Sequence, residues 1–244
     1  MKTCLVIPVY NHERAIVPLL ARLERFGLPC ILVDDGSSPA CRQELIDCAA
    51  RHRSWITLLQ RPSNGGKGAA VVDGFQRAIA QGFSHALQID ADGQHDVDDI
   101  PKFLELGCQH PEKMILGAPQ YQSDAPKSRV HGRKITNFWI AINTLSTAIG
   151  DGMCGFRLYP LTAVGQLLSH SRLAPGMAFD IDIAVRLYWQ GVDAVNLPTA
   201  VRYPLEGVSH FDLWRDNLKI SATHAHLFCG MLPRIPRLLA RHWR

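Results

Sequence analysis

Apolar residues along this chain gather in short β-branched runs that stop at polar or acidic residues, and between the runs they recur at helical spacing. Thr3 to Val9 is the first run and ends at Pro8-Val9-Tyr10-Asn11, a strand passing into a loop. Ile16, Leu19, Leu20 and Leu23 share one face of a helix predicted over 16–26. Cys30-Ile31-Leu32-Val33 predicts a second buried strand that stops at Asp34-Asp35-Gly36-Ser37-Ser38. A helix over 40–51 and a third strand over 55–59 follow. The loop Arg61-Pro62-Ser63-Asn64-Gly65-Gly66-Lys67-Gly68 then leads into a helix ending near Gln81-Gly82. A fourth strand over 84–89 ends at Asp90-Ala91-Asp92. The next helix, over 98–109, opens with Asp98 and Asp99, where the helix dipole favours acids. A fifth strand covers 113–117. This alternation with short links is the signature of a mostly parallel sheet covered on both faces.

The second half is less regular. Residues 120–127 form a polar loop, and a long helix pattern over 128–149 starts among Lys127, Arg129, Arg133 and Lys134. Asp151-Gly152-Met153-Cys154-Gly155-Phe156-Arg157-Leu158-Tyr159 reads as a turn and a strand. Phe179-Asp180-Ile181-Asp182-Ile183 opens a helix that runs to Gln190. One or two short strands fall within 192–203, Gly207-Val208-Ser209-His210-Phe211 is a loop, and a last helix spans 212–229. No internal repeat or linker divides the chain. The expected fold class is α/β: a Rossmann-like, mostly parallel central sheet in a single domain over 1–210, followed by a C-terminal helix and basic amphipathic tail over 211–244.

Composition narrows the class. The chain has 244 residues, 47% hydrophobic and 20% charged, as in an ordinary globular protein. It has no uncharged apolar run of about 18 residues, so no transmembrane helix is expected. The apolar stretch at the N-terminus is too short for a signal peptide, which predicts a cytoplasmic protein. Seven scattered cysteines without a Cys-x-x-Cys read as small buried hydrophobes of a reducing compartment. Net charge is only +4, yet the last 11 residues carry Arg234, Arg237, Arg241 and Arg244 with no acid. Mixed with Leu238, Leu239 and Trp243, these arginines predict an interfacial anchor on anionic lipid at the inner membrane surface. A tail packed on its own domain is the competing reading. No nucleic-acid polymer is expected as a partner.

Candidate chemistry lies at the strand ends. In a parallel sheet the loops at Tyr10-Asn11, Asp34-Asp35 and Asp90-Ala91-Asp92 converge on one crevice. Asp90 and Asp92 lie at i and i+2 and would face the same side if the strand continued, and Gly93 permits a sharp turn after them. Two carboxylates beside the amide of Gln94 suit a divalent ion that also holds a substrate phosphate; a polar loop at a helix start is the alternative. The glycine-rich loop lacks Walker spacing, but its flexible backbone, Lys67 and a helix N-terminus together make an anion site, unless it is a plain connection. No Gly-x-Gly-x-x-Gly follows the first strand, which favours a nucleotide-sugar site over a dinucleotide site.

Five segments in order carry a resemblance: Val6-Ile7-Pro8-Val9-Tyr10-Asn11, Val33-Asp34-Asp35-Gly36-Ser37, Asn64-Gly65-Gly66-Lys67-Gly68-Ala69, Asp90-Ala91-Asp92-Gly93-Gln94-His95 and Asp151-Gly152-Met153-Cys154-Gly155-Phe156-Arg157. Over about residues 3–210 the chain resembles the family 2 glycosyltransferases, in the branch of dolichyl-phosphate mannosyltransferase and related polyprenyl-phosphate glycosyltransferases. The resemblance implies a GT-A fold and inverting transfer from a nucleotide-diphosphate sugar with Mg²⁺ or Mn²⁺. It implies that Pro8, Tyr10, Val33 and Asp35 hold the nucleoside. Asp90, Ala91, Asp92 and Gln94 would bind diphosphate and metal, the metal falling to Asp90, Asp92 and Gln94. Lys67, Arg129 and Arg133 would join the donor site, the two arginines being otherwise a solvated helix start.

The resemblance implies a lipid-linked or lipid-like acceptor, and the chain departs from that branch at two places, the second of which concerns the acceptor. His12 stands where that branch carries a glutamate, and Pro204-Leu205-Glu206-Gly207-Val208-Ser209-His210 replaces an Arg-x-x-Gly-x-Ser-Lys pattern. Arg202 and His210 are the remaining candidates for contact with an acceptor phosphate, although a lone histidine also serves structural roles. A hydroxyl acceptor would need a base, and Asp180 and Asp182 are the candidate catalytic acids, only one of which can face the site from a helix. Both could instead complement the helix dipole. Two alternatives stay open: a nucleotidyltransferase, and a degenerate transferase domain acting as an assembly partner.

Overall fold

The computed structural model describes residues 1–121, 127–201 and 212–241. Seven strands, β1 (Thr3–Val9), β2 (Cys30–Asp34), β3 (Ile56–Gln60), β4 (His85–Gln88), β5 (Met114–Tyr121), β6 (Arg157–Pro160) and β7 (Ala194–Val201), form one sheet in the order β3-β2-β1-β4-β6-β5-β7. All pairings are parallel except those of β6, which runs against both β4 and β5. The helices are α1 (Glu13–Leu23), α2 (Pro39–Arg51), α3 (Lys67–Ala80), α4 (Ile100–Gln109), α5 (Lys127–Thr144), α6 (Leu161–His170), α7 (Phe179–Gln190), α8 (Leu213–Met231) and α9 (Ile235–Arg241).

Strand alternation sorts the core into two layers. Leu5, Ile7 and Val9 of β1 pack with Ile16 and Leu20 of α1, Leu45 of α2 and Phe103 of α4. Cys4 and Val6 point the other way, toward Val71 and Phe75 of α3, Val164 of α6 and Ile183 of α7. That second layer continues into Ile220 and Leu227 of α8 and Leu238 of α9, so the C-terminal helices share the core of the sheet.

Several element ends differ from expectation. Strand β4 stops at Gln88, so Asp90 and Asp92 stand on a turn and not on a continuing strand. Helix α5 ends early, where Leu145 takes a left-handed φ of 50° and Thr144 Oγ1 bonds back to the Ile140 carbonyl. Helix α4 begins after a short 3₁₀ turn capped by Asp96, whose side chain accepts from the Asp98 amide. Asp99 is buried there and accepts from Thr199 Oγ1 at 2.7 Å, a tertiary role beyond the helix dipole. Helix α6 is an element that the apolar pattern does not predict. Cys4, Cys30, Cys41, Cys48 and Cys154 are buried thiols and none of the seven cysteines is paired. Burial pushes the Cys4 and Cys154 thiols up to about 12, which keeps them inert.

Candidate active site

Strands β2, β1 and β4 are neighbours, so their carboxyl ends form one continuous edge. Because β6 runs the opposite way, the segment before it, Asp151 to Phe156, enters at that same edge. Backbone and side-chain bonds tie the first two strand ends together. The Asp35 amide donates to the Val9 carbonyl at 2.8 Å, the Asn11 amide to Ser37 Oγ at 3.1 Å, and the Ser38 amide to Asn11 Oδ1 at 2.7 Å. Asn11 holds a φ of 52°, which asparagine tolerates better than most residues.

The two acids of the second strand end face different partners. Asp34 accepts from the Ser37 amide and from Arg42 Nε, which fixes the loop itself. Asp35 accepts from the amides of Gly65 and Gly66 at 2.9 and 2.8 Å and also pairs with Arg61. The amides of the glycine-rich loop that the sequence offers to a ligand anion are here bonded to this chain's own Asp35. Gly66 has a φ of 96°, and a Cβ there would lie 2.6 Å from the Pro175 carbonyl oxygen, so glycine is required twice over.

Lys67, the first residue of α3, reaches into the crevice. Its Nζ lies 2.8 Å from Oδ1 and 2.9 Å from Oδ2 of Asp90, and 2.7 Å from Oδ2 of Asp180. Burial by itself would lower the Lys67 ammonium, but Asp180 and Asp90 hold it well above its ordinary value. Burial would likewise raise Asp90, and Lys67 and His95 outweigh it to keep the carboxyl well below the usual range. Asp180 is anchored from two more sides: its Oδ1 accepts from buried Gln88 Nε2 at 2.9 Å, and its backbone oxygen from Arg157 Nη1 at 2.5 Å. Asp90 rests on Gly155, where an added Cβ would fall 2.1 Å from Oδ2.

The two acids of α7 diverge, as the helical offset requires. Asp180 faces Lys67, whereas Asp182 accepts from the Ala174 amide at 2.8 Å and from Arg186 Nε. Both are buried, so neither is a solvated dipole partner at the helix start.

After β4 the chain turns through Gly93, with φ 71°, and Asp92 Oδ1 accepts from the Gln94 amide at 3.0 Å. The turn is fastened to β7 by a bridge between His95 and Val201 and by the Asp96 amide on the Ala200 carbonyl. Among the described residues no group of three or more His, Cys, Asp or Glu side chains forms a metal cage. A site for a diphosphate-bound ion needs less, since Mg²⁺ is ordinarily held by one or two carboxylates plus substrate phosphates. Asp90 fits that requirement. Its Oδ1 is buried and makes no hydrogen bond of good geometry, despite the nearby Nζ. Gln88 Oε1, His95 Nδ1 and Arg157 Nε are orphaned around the same crevice, an unusual concentration of unmet polar groups.

The other predicted residues fall in three places. Pro8, Val33 and Ala91 are buried at the sheet edge, while Tyr10, Asp92 and Gln94 are partly exposed there. Arg133 does not project as a free cation: it makes two bonds to Asp151, at 2.8 and 2.9 Å, and Asp151 in turn accepts from the Met153 and Cys154 amides. Arg202, His210 and the side chain of Arg129 lie outside the described residues. Gln88, His95, Asp151 and Arg157 belong to the site and were not singled out individually. The last three stand inside recognised motifs, and only burial reveals their part.

The family profile described as "Glycosyl transferase family 2" matches residues 4–168. This chain belongs to that family. It is a glycosyltransferase with the GT-A fold. It is 24% identical over 212 residues to an undecaprenyl-phosphate mannosyltransferase of Micrococcus luteus, covering 81% of this chain and 82% of that one. It is 25% identical over 215 residues to a polyprenol monophosphomannose synthase of Mycolicibacterium smegmatis, covering 85% and 80%. Its fold is similar to that of the mannosyltransferase PcManGT of Pyrobaculum calidifontis in complex with GDP-Man and Mn²⁺. The TM-score is 0.60 at 13% identity, with 98% of this chain and 74% of that one covered.

Away from the sheet edge, this glycosyltransferase exposes apolar side chains on two adjoining helices. Ile135 and Phe138 of α5 and Trp214 and Leu218 of α8 are more than half exposed, at 63%, 63%, 83% and 68%. Between these helices lies a cavity of about 470 Å³ lined by Trp139, Ile220, His224 and Phe228. The tail beyond it is packed inward: Leu238 is buried, and Arg241 bonds to the Tyr188 carbonyl and to Asp193. No helix among the described residues is long and apolar enough to cross a membrane.

Proposed function

We propose that this glycosyltransferase moves a sugar from a nucleoside-diphosphate sugar to a polyprenyl phosphate, with inversion at the anomeric carbon and with Mg²⁺ or Mn²⁺ at the diphosphate. The acceptor class rests on one observation, the commitment of both acids of α7. Asp180 is bonded to Lys67 and Gln88, and Asp182 to the Ala174 amide and Arg186. A hydroxyl acceptor needs a carboxylate free to take its proton within about 3 Å. A phosphate acceptor arrives as an anion and needs none. The undecaprenyl-phosphate mannosyltransferase and the polyprenol monophosphomannose synthase to which the chain is similar support a lipid phosphate.

In this reading Asp90 and Asp92, with Gln94, hold the ion, which when bound supplies Lewis-acid stabilisation of the departing nucleoside diphosphate. Pro8, Tyr10, Val33 and Asp35 border the nucleoside, with Val33 contributing through its backbone because its side chain is buried in the core. Ala91, Lys67, Arg129 and Arg133 border the diphosphate. The acceptor oxygen attacks from the face opposite the leaving group, so that one displacement inverts the anomeric carbon. Arg202 and His210 meet the acceptor phosphate. Asp180 acts by holding Lys67.

Residues 1–210 carry this chemistry, and 211–244, with α5, turn the enzyme toward the inner membrane surface as a peripheral protein. The exposed apolar side chains of α5 and α8 support that orientation better than the inward-packed tail.

The test is transfer of labelled sugar from a panel of nucleotide sugars to undecaprenyl phosphate in detergent, with and without Mn²⁺. Lipid-dependent release of nucleoside diphosphate, lost separately in Asp90→Ala and Asp92→Ala, is the expected result. Release of pyrophosphate would identify a nucleotidyltransferase. Full activity of both alanine variants would remove the site from the chemistry.

A further inference from the structure

Lys67 is one ammonium shared by two carboxylates from opposite sides of the crevice. Its side chain is 14% exposed and that of Asp180 only 3%, so water does little to solvate the cluster. Buried charges persist only when paired, and Lys67 is the cation that touches both carboxylates, with Arg157 buried beside Asp180 and His95 near Asp90. The arrangement is asymmetric. Asp180 is pinned by Gln88 on its other oxygen and by Arg157 on its backbone oxygen. Asp90 has an oxygen without a well-formed hydrogen bond and a side chain that is 23% exposed, against 3% for Asp180. The absence of a side chain at Gly155 leaves room for the Asp90 carboxylate, whose Cγ lies 2.3 Å from where a Cβ would be. Lys67, by contrast, has a long side chain pivoting on a fixed helix start, where the Gly66 amide is held by Asp35 and the Ala69 amide by the Pro175 carbonyl.

Resting on the ion-binding reading of Asp90 and Asp92, we propose that Lys67 is an internal cation that bridges Asp90 and Asp180 in the metal-free enzyme and gives up Asp90, keeping Asp180, when a divalent ion takes its place. Lys67 competes for the lone pairs the ion needs, so the ion alone binds weakly. The donor's diphosphate offers Lys67 a second anion, and ion and donor therefore load together. Asp180 is the partner Lys67 keeps throughout. In this role it is a positioning residue that links α7 to the loading of the donor side.

The test is titration of the full-length protein with Mn²⁺, read by electron paramagnetic resonance, alone and with saturating UDP, GDP or pyrophosphate. Lys67→Met should bind Mn²⁺ alone at least tenfold more tightly than wild type and lose most of the tightening that diphosphate gives. Asp180→Asn, which keeps the side-chain volume, should bind Mn²⁺ alone at least threefold more weakly. General damage to the fold would weaken binding in both, so the increase in Lys67→Met is diagnostic. If that variant does not fold by circular dichroism, Asp180→Asn decides: unchanged or tighter binding overturns the proposal. Wild-type binding with diphosphate but no gain in folded Lys67→Met overturns the exchange alone. No Mn²⁺ binding by any protein under any condition overturns the ion reading of Asp90 and the exchange with it.

Discussion

Replacing Gly155 with alanine adds one methyl group at the back of Asp90. Its Cβ would lie 2.1 Å from Oδ2, 2.3 Å from Cγ and 2.3 Å from Oδ1, all well inside contact distance. Gly155 does not have a left-handed φ, so the substitution is free of backbone strain and its effect is steric. Clearing the overlap requires the carboxylate to move by about 1 Å, and a misplacement of that size costs on the order of a hundredfold in rate. The carboxylate also loses its seat against Lys67, whose Nζ is only 2.8 Å away. Overpacking a filled site destabilises by about 1–3 kcal/mol, which leaves a protein of ordinary stability folded. The assay is sugar transfer to undecaprenyl phosphate, beside thermal melts with and without Mn²⁺ and nucleoside diphosphate. Gly155→Ala should fold, lose roughly a hundredfold in kcat/KM, and lose the rise in Tm that ligand gives. Gly132→Ala is the matched control, because a Cβ there meets nothing within 4 Å. Parental kcat/KM and an intact ligand shift in Gly155→Ala would refute the placement of Asp90 in the donor site.

Asp182→Asn removes the charged acceptor of the Ala174 amide and Arg186 and should cost about 1–3 kcal/mol in urea unfolding; an unchanged midpoint would contradict the pairing. Burial holds His224 down to about 4, below its ordinary 6.5, so the unfolded chain takes up its proton first as pH falls. Its contribution to stability is therefore intact above pH 6.5 and declines toward pH 4 by up to about 3 kcal/mol. His224→Gln should flatten that part of the pH profile relative to wild type, and coincident profiles would refute it. Replacing both Trp214 and Leu218 with serine removes two exposed apolar side chains from α8 and should reduce flotation with anionic liposomes several-fold. Removing the chain after Met231 should lower Tm more than flotation, because Leu238 is buried and Arg241 is bonded to the body of the protein.

What the sequence made legible followed from short-range rules. Alternation in Leu5-Val6-Ile7 and helical spacing in Ile16-Leu19-Leu20-Leu23 depend on residues a few positions apart, and these elements form where expected. The reversal of β6 is different in kind, because strand direction is set by where the chain returns to the sheet. Helix α6 begins directly after Pro160 at the end of β6 and contains Gly165, so its apolar run carries no clear boundary. The site divides in the same way. The acids at the strand ends are visible in Asp34-Asp35 and Asp90-Ala91-Asp92. Their partners are not: Asp35 finds amides 30 and 31 positions away, and Lys67 finds Asp180 at a separation of 113. Charge pairing at such distances leaves no periodic trace.

The fastening of the His95 turn to β7 bears on how the enzyme is born. The turn is encoded before residue 100, yet its bridge partner is Val201, and Asp99 waits for Thr199. During synthesis the first three strands and their helices can pair while the ribosome is still working. The bonds that fasten the turn at His95 and Asp96 to β7 cannot close until another hundred or so residues have emerged. A nascent or C-terminally shortened chain would thus possess every acid of the donor side while the His95 turn still lacks its anchor on the last strand.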